Sequence, residues 1–85
     1  MNAPKITPTD IAAKIKAVTY LYHECLTICV LTLENGFTVT GESACASPEN
    51  YNKALGEKYA YENAFEHVWR LEGYLLKQRL FESAR

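Results

Sequence analysis

Residues 26–44 read LTICVLTLENGFTVTGESA, and this stretch decides the fold. Its first part, residues 26–33, carries apolar side chains at odd and at even positions, which is typical of a central β-strand covered on both faces. Asn35 and Gly36 separate it from a second β-prone run. Asn-Gly between two such runs is the strongest short-range signal for a hairpin with a two-residue type I′ turn. The stretch therefore predicts two antiparallel strands joined at Asn35 and Gly36.

A two-residue loop also fixes which side chains share a face of the predicted sheet. It places Leu33 opposite Thr38 and Leu31 opposite Thr40, so these residues form one face. A face that is half polar suits partial coverage or a subunit interface better than open water. Coverage by an N-terminal helix and self-association are both consistent with it. The opposite, core face of the predicted sheet holds Ile28, Val30, Phe37 and Val39.

The remaining N-terminal half completes the sheet and adds a helix. Residues 17–23 alternate β-branched and aromatic side chains, so residues 17–41 are predicted to form a three-stranded antiparallel β-meander. Thr7 followed by Pro8 is typical of a helix start and predicts a short helix over residues 7–16. Residues 1–6 are expected to be a flexible N-terminus.

A long C-terminal helix is the last predicted element, and it makes the fold class α+β. Ser47 and Pro48 indicate its start, and it is predicted to span residues 47–82, with Gly56 and Gly73 as the positions where it can kink. Its apolar side chains cover about half of the helix circumference, which is more than a small sheet can bury. We therefore expect a homo-oligomer. The apolar arc consists of two adjoining stripes: Ala60, Ala64, Val68, Leu71 and Leu75, and Tyr61, Phe65, Trp69 and Leu76.

Length, charge and hydropathy exclude several classes of protein. The chain has 85 residues, and we predict a single small domain over residues 1–85. A formal net charge of −1 argues against nucleic-acid binding, which needs clustered Lys and Arg. The longest apolar run is far shorter than the roughly 20 residues that cross a bilayer. We expect no membrane association and a cytoplasmic location.

Three cysteines cannot all pair within one chain, and in a reducing cytoplasm we expect free thiols. His23, Cys25 and Cys29 have a spacing that invites a metal site. In one strand, however, Cys25 and Cys29 would lie roughly 13 Å apart, too far for a single zinc ion. The sequence therefore predicts neither a metal nor a cofactor.

The sequence offers no catalytic motif. Gly41 and Ser43 lack the second glycine of a nucleophile elbow, and glycine-rich phosphate-binding motifs are missing. Glu72, Ser43 and the two histidines have no spacing diagnostic of acid-base or nucleophilic chemistry, so we do not expect an enzyme. Glu72 falls inside the apolar arc and is predicted to be buried, with Lys58, Arg79 or a tyrosine hydroxyl as its partner.

Two blocks of sequence resemble a family of small tailed-phage proteins named after products of phages N4 and Sf6. They are LTLENGFTVTGESACASPENY, residues 31–51, and GEKYAYENAFEHVWRLEGYLL, residues 56–76. The likeness covers about residues 11–80. It implies an intracellular phage or prophage accessory protein made in the infected bacterium. Arg70 stands where family members commonly carry a proline, which leaves a kink at that point unsupported.

Together these features predict a non-catalytic protein that acts by binding. The first interpretation is that it binds a host bacterial protein and inhibits a defence or regulatory process. The alternative is an oligomeric sponge that sequesters a small nucleotide between subunits; an enzyme and an assembly role rank lower. The candidate ligand- or partner-binding residues are Thr38, Thr40, Glu42, Ser43, Tyr61, Phe65, Trp69, Glu72 and Tyr74.

Overall fold

The computed structural model of the chain describes residues 5–84, and its α+β architecture is the predicted one. The strands form an antiparallel sheet in the order β1-β2-β3, with both helices on one face. The predicted meander and long C-terminal helix are thus confirmed. In chain order the elements are α1 (Pro8–Ala13), β1 (Ile15–His23), β2 (Leu26–Leu33), β3 (Thr38–Ala44), a 3₁₀ turn (Pro48–Asn50) and α2 (Lys53–Ser83).

Helix α1 begins as predicted but ends early. The Thr7 side chain accepts a hydrogen bond from the Asp10 amide, and the Asp10 carboxylate accepts one from the Thr7 amide, which completes a capping box. The helix ends at Ala13 rather than at residue 16 because Ile15 already pairs with Leu33 in the sheet. Of the segment predicted to be flexible, residues 1–4 lie outside the described residues, and Ile6 packs against the core.

The hairpin between β2 and β3 has a three-residue loop, so the predicted type I′ turn is wrong. The Leu33 amide donates to the Phe37 carbonyl at 2.8 Å, and the Gly36 amide donates to the Leu33 carbonyl at 2.9 Å. Gly36 has a φ of 90°, whereas Asn35 does not have a positive φ. A type I′ turn requires a positive φ at both central residues; a type I turn followed by a left-handed glycine requires it only at the glycine.

This loop shifts the register by one residue and exchanges the faces of β3. Val39 lies opposite Leu31 and is buried under α2, whereas Thr40 lies opposite Val30 on the other face. The predicted grouping of Thr38 and Thr40 with Leu31 and Leu33 is therefore wrong. Because side chains in a strand alternate, a slip of one position moves every side chain to the opposite face.

Helix α2 begins later than predicted and is continuous. The Asn52 side chain caps it by accepting a hydrogen bond from the Leu55 amide at 3.0 Å. Ser47 makes no capping hydrogen bond and starts only the 3₁₀ turn, since Tyr51 returns to an extended conformation. From Lys53 the helix runs to Ser83 and breaks at neither Gly56 nor Gly73.

The core lies between α2 and one face of the sheet. Gly41 lies inside β3 and lets α2 approach the strand closely. The opposite face of β2 is only half-buried, so the expectation that both faces are covered is wrong for one of them. The buried apolar residues are Ile11, Cys29, Leu31, Leu33, Val39, Ala60, Ala64 and Val68.

Helix α2 is longer than the sheet that it covers. Its 31 residues correspond to about 46 Å at the usual rise per residue. The last fully buried residue of the helix is Val68, and the residues after Trp69 are half-buried or exposed. We call residues 70–83 the overhang of α2.

Candidate functional site

A cleft lies at the start of α2, where the β1–β2 turn and the end of β3 meet the helix. Its volume is about 160 Å³. The walls are neutral and mixed: amide, hydroxyl, thiol and aromatic side chains contribute. Its lining includes Cys25, Ser43, Cys45, Asn50, Tyr51, Asn52 and Tyr59. We call this the N-terminal cleft; among the candidates from sequence, it contains only Ser43.

Two of the three thiols lie side by side at this cleft. Leu26 pairs with Ala44 across β2 and β3, and Cys25 and Cys45 are the next residues on each side of this last pair. The neighbouring Cys45 thiol, followed by desolvation, raises the pKa of the Cys25 thiol. The Cys45 thiol also donates to the Ser47 carbonyl at 3.2 Å. Both cysteines are half-buried.

A tyrosine–carboxylate pair ties β1 to the first turns of α2. The Tyr22 hydroxyl donates to the Glu57 carboxylate, which raises the pKa of Tyr22 to about 12. The Lys53 ammonium lies 5.0 Å from the centre of the Tyr22 ring, within the range of a cation–π contact. The Glu57 carboxylate thus favours the protonated hydroxyl of Tyr22.

The edge of β3 is covered by polar side chains of α2. The Asn63 amide donates to the Glu42 carbonyl at 2.8 Å, and His67 Nδ1 lies 2.8 Å from the Thr40 carbonyl. A carbonyl can only accept, so Nδ1 of His67 carries a proton. His67 thus positions the helix on the strand. Asn63 and His67 were not among the predicted binding residues.

The three polar candidates of β3 with even numbers lie on the open face of the sheet. Thr38, Thr40 and Glu42 are exposed there, opposite Thr32, Val30 and Ile28 respectively. Ser43 faces the other way, beside Thr27 and toward the N-terminal cleft. These residues therefore form one exposed row and one separate hydroxyl.

The aromatic candidates of α2 divide into packed and exposed residues. Tyr61, Phe65 and Trp69 are half-buried and pack against the core, with the Tyr61 and Phe65 ring centroids 5.9 Å apart. Tyr74 is 71% exposed on the overhang. The first three stabilise the fold, whereas Tyr74 is available to a partner.

Glu72 is half-buried rather than buried, contrary to the prediction. It lines a shallow cleft of about 200 Å³ together with Lys14 and Arg79. Within residues 5–84, Arg70 and Glu66 form an ion pair at 4.0 Å. Glu72 is not part of it. Glu72 needs no buried partner because solvent reaches it. The nine candidate residues consequently do not converge on one site.

Two classes of site have no support in the part of the chain that the structure describes. No three or more His, Cys, Asp or Glu side chains there are grouped so that they could hold a metal ion. Of the residues whose spacing invited a metal site, Cys29 is buried under α2 whereas His23 is exposed on the open face. No helix among these residues is long and apolar enough to cross a bilayer.

The juxtaposition of Cys25 and Cys45 escaped the sequence interpretation. The assumed two-residue loop would have placed these cysteines out of register. A three-residue loop, with Gly36 in the left-handed conformation, pairs Leu26 with Ala44 and so brings their neighbours Cys25 and Cys45 to the same end of the sheet. A prediction of the three-residue loop would therefore have revealed that the two cysteines are neighbours.

Comparisons with known proteins give a family but no close relative. Neither the curated proteins nor the solved structures contain a match to this chain. A family model matches residues 6–80. This range includes α1, the whole sheet and all of α2 except its last residues. The chain belongs to the phage protein (N4 Gp49/phage Sf6 gene 66) family.

Proposed function

We propose that this phage protein is a non-catalytic accessory protein that binds a host bacterial protein in the cytoplasm and inhibits a defence or regulatory process. The overhang of α2 is the observation that carries the proposal. A surface helix normally turns its large apolar side chains toward its own core. Here several of them, all after the last fully buried residue Val68, stay accessible.

The overhang has the chemistry of a helix that docks into a groove. Leu71 and Leu75 are 43% and 37% exposed, and Leu80 is 41% exposed. Leu71 and Leu75 stand one helical turn apart, which is the spacing by which amphipathic helices anchor in hydrophobic grooves. Tyr74 adds an aromatic ring with a polar tip, a type of residue that is enriched among interface hot spots.

Self-association through β1 is part of this proposal. β1 is an edge strand of nine residues, and β3 at the other edge carries the helix contacts. Leu21 and Tyr22 of β1 are 51% and 46% exposed. A free edge with exposed apolar side chains pairs readily with another strand. We infer a second copy as the occupant, because antiparallel pairing centred on Tyr20 places Lys16 of each copy near Glu24 of the other.

The second candidate function is a sponge for a small nucleotide held between subunits. The N-terminal cleft favours it, because Tyr51 and Tyr59 offer rings for stacking and Ser43, Asn50 and Asn52 offer hydrogen bonds. Ligand sites usually measure about 300 to 1,000 Å³, and this cleft of about 160 Å³ is smaller. A nucleotide would therefore need a second subunit to complete the site.

One experiment separates the two candidates. The wild type, Leu71→Gln/Leu75→Gln in the overhang and Leu55→Gln beside the cleft are expressed in bacteria and purified by affinity. Host-protein binding predicts one stoichiometric host protein with the wild type and Leu55→Gln, and its loss from the overhang variant. The sponge predicts that denatured wild type releases a compound absorbing at 260 nm and that Leu55→Gln releases less. If neither is found and the protein stays monomeric, both candidates are wrong.

A further inference from the structure

We propose that Cys25 and Cys45 form a reversible intramolecular disulfide, so that the mouth of the N-terminal cleft is a site of thiol oxidation. Cys25 lies in the turn between β1 and β2, directly before Leu26, and Cys45 directly follows β3. The inference is independent of the proposed function. It rests on register, proximity, access and the separation of these thiols from the third cysteine.

The register brings the two cysteines to the same end of the sheet. Thr27 pairs with Ser43 and Leu26 pairs with Ala44, and Cys25 and Cys45 are the next residues on each side of this last pair. Directly opposed residues of an antiparallel pair have Cα atoms about 4.5 or 5.5 Å apart, and a disulfide needs Cα atoms about 4.4 to 6.8 Å apart. The two cysteines therefore leave the sheet from a pair whose spacing already lies within the disulfide range.

The two thiols are neighbours and can be reached. The nearby Cys45 side chain raises the pKa of the Cys25 thiol, as expected for adjacent thiols. Both line the N-terminal cleft and also the adjoining depression bounded by Glu24, Pro48 and Tyr51. Neither cysteine is fully buried. A small oxidant can thus approach either sulfur.

The third cysteine is excluded from this chemistry. Cys29 pairs with Gly41 on the face under α2 and is fully buried. An oxidant in solution therefore does not reach its sulfur. Cys29 serves as the control thiol, four residues after Cys25.

The reaction is a two-electron thiol–disulfide exchange with glutathione disulfide as the oxidant. The thiolate of one cysteine attacks a sulfur of glutathione disulfide, which forms a mixed disulfide and releases one glutathione thiolate. The thiolate of the second cysteine then attacks the protein sulfur and displaces the other glutathione. Two cysteine thiols lose two protons and two electrons, one S–S bond forms, and one glutathione disulfide becomes two glutathione molecules.

The test equilibrates the folded protein in buffers of graded glutathione to glutathione disulfide ratio and then alkylates the free thiols. Residues 17–52 contain no Lys or Arg, so cleavage after glutamate is used; it places Cys25 and Cys29 in peptide 25–34 and Cys45 in peptide 43–49. We expect these two peptides to become linked in oxidising buffer. The link should persist in Cys29→Ala and vanish in Cys25→Ser and in Cys45→Ser.

A thermal readout complements the mass analysis. Because the bond joins the two ends of the β2–β3 hairpin, oxidation should raise the Tm of wild type and of Cys29→Ala and leave that of Cys45→Ser unchanged. Three alkylatable thiols at every buffer ratio would overturn the proposal. So would oxidation that stops at glutathione adducts, or linked peptides that occur only in a covalent dimer on a non-reducing gel.

Discussion

Gly41 of β3 lies directly beneath Ala64 of α2, so closely that a Cβ built on Gly41 would stand 2.1 Å from the Ala64 amide nitrogen. The carbonyl oxygen of Ala60 would be 2.3 Å away. Ala60 and Ala64 are fully buried, so the strand and the helix meet with almost no side chain between them. This contact sets the height of the helix above the sheet.

We expect Gly41→Ala to lower the free energy of unfolding by about 3 kcal/mol, because backbone atoms rather than a flexible side chain would have to move. The matched control is Gly73→Ala in the overhang, where a Cβ meets nothing within 4 Å. Since alanine is the better helix former, this control should gain about 1 kcal/mol. Urea denaturation measures both. Wild-type stability of Gly41→Ala would show that the contact is looser.

Thr27 gives a prediction of the opposite sign. It is fully buried, and its hydroxyl has no hydrogen-bond partner among the described residues. Gly56 lies against it, and a Cβ there would come within 2.8 Å of Oγ1. We expect Thr27→Val to gain about 1 kcal/mol, because an unpaired buried hydroxyl is replaced by a methyl group of the same shape.

Thr27→Ser is the control for this prediction. It keeps the hydroxyl and removes the methyl group, so we expect a loss of about 1 kcal/mol. Chemical denaturation at one temperature compares the three proteins. If Thr27→Val were less stable than the wild type, the hydroxyl would have to be satisfied in solution, and the prediction would be wrong.

Local signals predicted the elements but not how they face each other. Asn35 and Gly36 located the hairpin, and the conformation of Asn35 alone decided between a two-residue and a three-residue loop. That choice moved Thr38 and Thr40 to the open face. The loop conformation depends on how the whole hairpin packs, which a sequence pattern of a few residues does not contain.

The start of α2 shows a similar limit. Ser47 with Pro48 and Asn52 are both good helix-start signals, and the extended conformation of Tyr51 decides in favour of Asn52. The candidate site was predicted less well than the fold because it needed both the register and this helix start. The N-terminal cleft forms only where the end of β3, fixed by the register, meets the start of α2.

The tyrosine–carboxylate pair predicts an alkaline titration. The hydrogen bond to Glu57 raises the pKa of Tyr22 from 10.0 to about 12 because it favours the protonated hydroxyl. A pKa that is higher in the folded than in the unfolded protein gives stability that is fully present below the unfolded value. This stability is lost as the pH rises from about 10 through about 12.

Tyrosinate absorbance measured during a pH titration checks this. Glu57→Gln should move the pKa of Tyr22 down toward its ordinary value, since the carboxylate acceptor is lost. Tyr22→Phe assigns the signal, because it should remove the component that titrates near 12. A titration in which Tyr22→Phe removes a component near 10 instead would contradict the hydrogen bond.

The β1 pairing predicts that two charges control the oligomer. In antiparallel pairing, residues of one face must oppose residues of the same face, so the register centred on Tyr20 is among the few that are allowed. It places Lys16, at the bulge of β1, near Glu24 of the second copy, the residue that directly follows β1. Lys16→Glu and Glu24→Lys each create two like-charge contacts. Cross-strand pairs contribute roughly 0.2 to 1 kcal/mol each, so either variant should weaken the dimer about tenfold.

The double variant Lys16→Glu/Glu24→Lys restores opposite charges and should recover the wild-type Kd. Sedimentation equilibrium over a concentration series measures all four proteins. Glu34→Lys, an exposed charge reversal at the β2–β3 loop, is the control and should not change the Kd.

Edge strands also use lysine to block pairing, and a bulge at residues 15–17 adds to such protection. If Lys16→Glu strengthened association, or if the double variant failed to recover it, β1 would be a protected edge and the dimer interface would have to lie elsewhere.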